Sequence, residues 1–264
     1  MSKKYFILLL LAGIISACQT TIVPPTSQPF IGVISSTFTQ SAYETLVGSL
    51  STPSPSSTPT PTDIVQNKTR VFRDEFDGKL QPGWEWINEN PETWSLFTEP
   101  GTLQIKSEPG YINLGNEKNL IIRDVPSGDF FLETSLNFSP DESDQFAGLV
   151  LYSTANDFIQ TGLGYCSPSV GCIGRGLYID VYKNGNLELP RKIINFTDDI
   201  AFIQLYKTNN LIKILASPNG SVWYRIVDID LGFTPIKAGL FTGQNNSAKA
   251  ISATFGYFDI SIPK

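Results

Sequence analysis

The stretch Leu177-Tyr178-Ile179-Asp180-Val181-Tyr182, followed at once by Lys183-Asn184-Gly185-Asn186, decides the fold class. Its aliphatic residues fall at every second position. A strand therefore places Leu177, Ile179 and Val181 on one side and Tyr178, Asp180 and Tyr182 on the other. Asn-Gly tolerates the left-handed backbone that a two-residue hairpin demands, so the chain is expected to turn back there. The same grammar recurs on both sides of this stretch. Apolar, β-branched and aromatic runs at 120–125, 130–138, 146–152, 158–163, 201–206, 211–216, 222–227, 238–242 and 252–262 read as strands. Thr208-Asn209-Asn210 and Ser217-Pro218-Asn219-Gly220 read as further turns. No segment of helical length carries a helical apolar period. Many short antiparallel strands hide their apolar sides against one another, which predicts an all-β sandwich of two antiparallel sheets.

The 264 residues hold 19 Lys and Arg against 25 Asp and Glu, and no histidine. An acidic balance without basic clusters argues against nucleic acid as a partner. The missing histidine removes the commonest general base and the commonest transition-metal ligand. Acid–base chemistry would fall to carboxylates, Tyr or Lys.

The N-terminus has the order of an export signal: Ser2-Lys3-Lys4, an apolar run from Tyr5 to Ile15, then Ser16-Ala17-Cys18. The run is shorter than the roughly 20 residues of a comfortable membrane span. Ile15-Ser16-Ala17-Cys18 resembles the bacterial lipobox, in which the Cys is lipidated and becomes the new N-terminus. The alternative is an ordinary signal peptide with a chance Cys. Acyl chains on Cys18 would anchor the protein to the cell membrane facing outward, each buried CH₂ contributing about 0.8 kcal/mol. Of three cysteines, Cys166 and Cys172 would then remain as a local disulfide in an oxidising compartment, or as two free thiols. Between anchor and strands lies a Ser/Thr/Pro-rich tract, densest from Ser51 to Thr62, whose prolines deny helix and sheet a continuous ladder. The expected organisation is a signal peptide at 1–17, a lipid-anchored stalk at 18–68 and a sandwich domain at 69–264, acting as a monomer.

Several stretches resemble, in the correct order, a known module. They are Asp74-Glu75-Phe76-Asp77-Gly78 with Trp84-Glu85-Trp86, Asn90-Pro91, Trp94-Ser95-Leu96 and Gly101-Thr102-Leu103, followed by Gly128-Asp129-Phe130 and Ala147-Gly148-Leu149-Val150-Leu151-Tyr152. Ser217-Pro218-Asn219-Gly220 with Trp223, Ala238-Gly239-Leu240-Phe241 and the run from Phe255 to Ile260 complete the series. Together they are similar to the concanavalin A-like C-terminal module of family 43 β-xylosidases, and to the related uncharacterised family numbered 1349 among domains of unknown function. The resemblance covers about 71–262 and implies a concanavalin A-like jelly roll. In those xylosidases the module abuts a propeller that supplies the catalytic carboxylates. Here the segment ahead of the module reads as stalk.

Candidate ligand-binding residues follow from the polar and aromatic sides of the strands: Tyr152, Gln160, Tyr178, Asp180, Tyr182, Gln204 and Arg225, with Arg175 in a Gly-rich loop at the rim. Aromatic rings stack on sugars and planar polar groups bond hydroxyls, so a sheet face carrying these residues would hold a glycan. The alternative is a solvated outer face. Trp84, Trp86 and Trp94 form either a platform or packing, and their recurrence in the resembling modules favours packing. Asp74, Glu75 and Asp77, with Asp259 near the other end, could bring oxygens to a structural Ca²⁺, the alternative being a solvated acidic turn. The run Glu-x-Asp-x-x-Glu of sandwich-fold glycanases is absent, and no catalytic residue is assigned. Three functions remain open. The first is a non-catalytic carbohydrate-binding module on a cell-surface lipoprotein. The second is a glycoside hydrolase or lyase using carboxylates from different strands. The third is a structural or adhesive module that contacts protein.

Overall fold

The computed structural model describes residues 67–170, 172–188 and 192–264. The signal peptide, Cys18 and the stalk as far as residue 66 lie outside them. Among the described residues sixteen strands follow in chain order: β1 (Lys68–Asp74), β2 (Glu85–Ile87), β3 (Trp94–Ser95), β4 (Leu103–Lys106), β5 (Leu120–Asp124), β6 (Phe130–Asn137), β7 (Phe146–Thr154) and β8 (Asp157–Cys166). They continue with β9 (Gly174–Lys183), β10 (Asn186–Leu187), β11 (Lys192–Ile194), β12 (Ile200–Thr208), β13 (Leu211–Ser217), β14 (Tyr224–Asp230), β15 (Lys237–Gly243) and β16 (Ser252–Pro263). Two short 3₁₀ turns, Ile112–Leu114 and Pro168–Val170, are the helical elements seen.

The strands form two antiparallel sheets, as the alternation predicts. One runs β14-β13-β12-β6-β16-β4-β3, with β1 also paired to β16; the other runs β10-β9-β8-β7-β15-β5-β2, with β11 also paired to β9. The first and last strands lie side by side, Arg73 opposite Asp259. At the hairpin after β9, Asn184 and Gly185 both take positive φ (52° and 76°), the geometry that Asn-Gly predicts. The facing sides of the sheets fuse into one core. Leu177, Ile179 and Val181 of β9 meet Leu149 and Leu151 of β7, while Ile203 and Leu205 of β12, Ile214 of β13 and Phe255 and Phe258 of β16 close it from the other sheet.

The second sheet is apolar on its outer side as well. Leu120, Ile122, Val150, Phe158 and Phe241 form a second buried cluster there, joined by Ile112 from the 3₁₀ turn between β4 and β5. An apolar outer face of this kind needs a cover. The segment that leaves β4 supplies one: Pro109 bridges Gln244 just beyond β15, and Ile112 docks into the cluster.

The chain's entry is set by one carboxylate. Fully buried Asp74, at the end of β1, accepts hydrogen bonds from the backbone N–H of Phe76 (2.9 Å) and Gln81 (2.8 Å) and from Trp84 Nε1 (2.8 Å). These bonds hold Phe76 at φ 56° with its ring inside the core. Trp84 packs edge-on against Phe258 at 4.9 Å, and Trp86 stacks on Trp94 at 4.8 Å. The three tryptophans are therefore packing residues, as their recurrence in the resembling modules suggests. Asp74→Ala strands the buried N–H of Phe76, the partly buried N–H of Gln81 and an indole N–H. It is expected to destabilise the domain by about 3 kcal/mol or more, read as a lower urea midpoint at unchanged m-value, with Asp74→Asn falling in between.

Candidate functional site

β9 turns Tyr178, Asp180 and Tyr182 outward, away from the core, yet Tyr178 and Asp180 are buried. The reason is the cover over this face. Residues 110–117 and the loop around Asp144 and Gln145 stand over β8 and β9 and leave a pocket of about 90 Å³ between them. Phe146, Gln160, Tyr165, Tyr178, Asp180, Tyr182 and Phe241 line its sheet side, and Tyr111, Glu117 and Asp144 line the rest. Register explains the pairing of polar groups: Gln160 lies opposite Asp180 and donates from Nε2 to Asp180 Oδ2 at 3.1 Å. One step along, Phe158 lies opposite Tyr182 and the rings stack at 4.6 Å. Tyr178 donates its hydroxyl proton to the carbonyl of Gly174.

Glu117 dominates the electrostatics. It is 4% exposed, and its Oε1 is fully buried without a hydrogen-bonding partner. Burial pushes its carboxyl well above the ordinary value of 4.5. Other polar side chains of the lining are committed elsewhere. Gln145 Oε1 accepts from the N–H groups of Asp141 and Glu142, and its Nε2 donates to Lys249 O. Gln244 Oε1 accepts from Ser107 Oγ, and its Nε2 donates to Ala248 O. Neighbours also hold Glu117 in place. Asn88 Nδ2 donates to the carbonyls of Gly115 and Glu117, both at 3.0 Å, and Asn119 Oδ1 accepts from the N–H of Asn90 at 2.7 Å. Two glycines leave it room: a Cβ at Gly243 would lie 2.7 Å from Oε1, and one at Gly110 would lie 2.8 Å from the Glu117 Cα.

The eight candidates read from the sequence do not share one face. Gln160, Tyr178, Asp180 and Tyr182 meet in the pocket, while Tyr152 lies on the same sheet, half-buried beside the second apolar cluster. Burial raises the Tyr152 hydroxyl pKa. Gln204 and Arg225 belong to the other sheet, on β12 and β14. Alternation sorts residues within a strand and is silent on which sheet the strand joins. Gln204 is engaged there: its Nε2 donates to Glu133 Oε2 at 2.7 Å. Burial alone would raise the Glu133 carboxyl, but Lys68, Tyr257 and Gln204 outweigh it and hold the pKa below its usual value. Exposed Arg225 pairs with Asp228. Arg175 is the second residue of β9 rather than part of a loop; it pairs with Asp199 and donates to Pro140 O at 3.3 Å. Glu117 was missed because a lone Glu in an irregular segment carries no periodic signal.

Cys166 and Cys172 are joined in a disulfide, with Cα atoms 5.5 Å apart. The four acidic residues considered for calcium are engaged with protein groups or turned outward. Asp74 serves the bonds above, Glu75 pairs with Arg73, and Asp259 accepts from Arg70 Nε at 2.6 Å and Ser261 Oγ at 2.7 Å. Asp77 is exposed in the turn after Phe76. Among the described residues, no three His, Cys, Asp or Glu are grouped to hold a metal ion.

The family described as the β-xylosidase C-terminal concanavalin A-like domain matches residues 73–261. No curated protein sequence matches the chain. Among solved structures, a GH43 protein from Bacillus licheniformis aligns at 21% identity and TM-score 0.65, over 73% of this chain and 39% of that one. A xylan β-1,4-xylosidase from Bacillus halodurans C-125 aligns at 22% identity and TM-score 0.63, over 71% and 38%. The chain thus spans about two fifths of the length of each of these. The CBM2 module of the evolved Dit protein of Lactobacillus casei phage J-1 aligns at 11% identity and TM-score 0.54, over 76% and 98%. At such identities the likeness shows the fold.

The site generates a stability prediction. A carboxyl whose pKa rises on folding contributes stability below 4.5, and that contribution is lost as pH climbs from there through the folded pKa. Thermal melts from pH 4 to pH 8 are expected to show this decline. Glu117→Gln, which has nothing to ionise, is expected to remove that part of the slope and to be the more stable protein at neutral pH.

Proposed function

Because the chain belongs to the family of β-xylosidase C-terminal concanavalin A-like domains, we propose that it is a non-catalytic carbohydrate-binding module, exported and held at the outer face of a bacterial membrane by lipid on Cys18. One observation carries the reading: on the outer side of the second sheet, Tyr111, Phe146, Tyr165, Tyr178, Tyr182 and Phe241 surround the paired Gln160 and Asp180. Rings supply flat apolar surface for the faces of a sugar, and the amide and carboxylate address its hydroxyls. The outer side of the first sheet offers less, since Glu133, Gln204, Lys68 and Tyr257 already bond one another. The lipobox-like Ile15-Ser16-Ala17-Cys18 and the Ser/Thr/Pro-rich tract support display away from the membrane.

Titration calorimetry of the full chain with oligosaccharides from xylan, arabinan and β-glucan tests the reading. Binding to at least one is expected, weakened about tenfold by Tyr182→Ala through loss of one aromatic contact. Folded protein that binds no glycan sinks it. Cells fed labelled fatty acid are expected to label the wild type and to leave Cys18→Ser unlabelled.

A second reading has one observation in its favour: Glu117, whose carboxyl burial pushes well above its ordinary pKa, and Asp180 line the same pocket. Two carboxyls in unlike environments are the equipment of a glycosidase. Sugar release from the same oligosaccharides, abolished by Glu117→Gln, would replace binding with catalysis. We expect no release.

A further inference from the structure

Building on the carbohydrate reading of the pocket, we propose that it holds the terminal residue of a glycan chain, entered end-on, and takes no internal stretch. A protein that binds the middle of a polysaccharide must let the chain pass in and out, so its site is a groove with two open ends. This pocket is closed along the strands in both directions. At one end the segment before β7 is tied to β8 through the backbone. Asp144 N–H donates to Tyr165 O at 2.9 Å, and Tyr165 N–H donates to Gln145 O at 3.0 Å. Just beyond, Ser167 N–H donates to Ser143 Oγ at 3.0 Å, and Cys166, which lines the pocket, is fixed to Cys172 by the disulfide. At the other end, past Gln160 and Asp180, Tyr182 stands stacked on Phe158.

The cover closes a third side. Gly110 N–H donates to Gln244 O at 3.3 Å and Gln244 N–H to Glu108 O at 3.2 Å, which fastens the crossing segment to the chain just beyond β15. Gln145 Nε2, donating to Lys249 O at 2.7 Å, fastens the segment before β7 to the same stretch. The exposed members of the lining are Tyr111 from the cover and Asp144 from the loop, and they mark a mouth that opens away from the sheet. Size agrees as well. A pocket of about 90 Å³ lies far below the ~300 Å³ and more of sites that engulf a drug-sized ligand. It holds no more than one sugar ring. A terminal sugar carries a hydroxyl where an internal one carries the next residue, and closed walls turn that residue into a clash.

The test measures affinity against chain length by calorimetry on the full chain, with dimers, tetramers and hexamers of β-1,4-linked xylose, α-1,5-linked arabinose and β-1,4-linked glucose. In the series that binds, molar affinity is expected to change less than about threefold from dimer to hexamer, because the later residues project into solvent. A rise of about threefold or more overturns the end-on inference and leaves the carbohydrate reading standing. Several protein molecules bound along each unbranched polymer chain do the same. Binding of no oligomer at any length overturns both. Gly164→Ala places a Cβ on the pocket floor, 3.1 Å from the Phe146 ring and 3.3 Å from that of Tyr178. It is expected to weaken every length alike by about tenfold while the circular dichroism stays native. Unchanged binding by that variant in its native fold puts the sugar elsewhere and overturns the inference. The wild-type length series decides the question should the variant fail to fold.

Discussion

The second sheet has to bury both of its faces, and much of the molecule follows from that. Its inner side, with Leu149, Leu151, Ile159, Leu177 and Ile179, is half of the main core. Its outer side, with Leu120, Ile122, Val150, Phe158 and Phe241, is nearly as apolar and lies open unless another part of the chain crosses it. At about 25 cal/mol per Å² of apolar surface removed from water, covering this patch stabilises the fold by several kcal/mol. The crossing between β4 and β5 provides the cover. Ile112 enters the cluster, and the backbone beyond it is fixed by Asn88 and Asn119.

A cover of irregular backbone over a pleated sheet does not fit flush. Where it stands off β8 and β9, the space is lined by whatever the two surfaces present: tyrosines and Asp180 from the sheet, Glu117 and Tyr111 from the cover. The same burial that stabilises the fold desolvates Glu117, which explains its raised pKa. Site and stability are in tension at this residue, a pattern common where proteins hold polar groups ready for a ligand.

The two outer faces thus diverge. On the first sheet, Lys68, Glu133, Gln204 and Tyr257 satisfy one another, and Arg73 lies over the Tyr257 ring. That face is polar, and its partners are already chosen. On the second sheet a buried carboxyl oxygen has no partner at all. The polar content of the first looked as promising in the sequence, but a hydrogen-bonded network closed on itself leaves little for a ligand to gain.

Ten strands, the hairpin at Asn184-Gly185 and the two-sheet architecture were legible in the sequence, because a period of two and left-handed turn residues are local signals that packing amplifies. The other six were not: β2, β3, β10 and β11 hold two or three residues and β4 four, too few to show a period, and the charged, largely exposed Lys68–Asp74 of β1 carries no apolar alternation. Part of the candidate site was legible too: Gln160, Tyr178, Asp180 and Tyr182 stood out on strands that proved to be neighbours. What only the tertiary structure decided was which strands share a sheet, so that Gln204 and Arg225 lie on the other layer, and that an irregular segment carries Glu117 into the pocket. The physical reason is range. Alternation fixes a side chain's direction within its own strand, whereas sheet membership and burial depend on contacts between residues far apart in the chain.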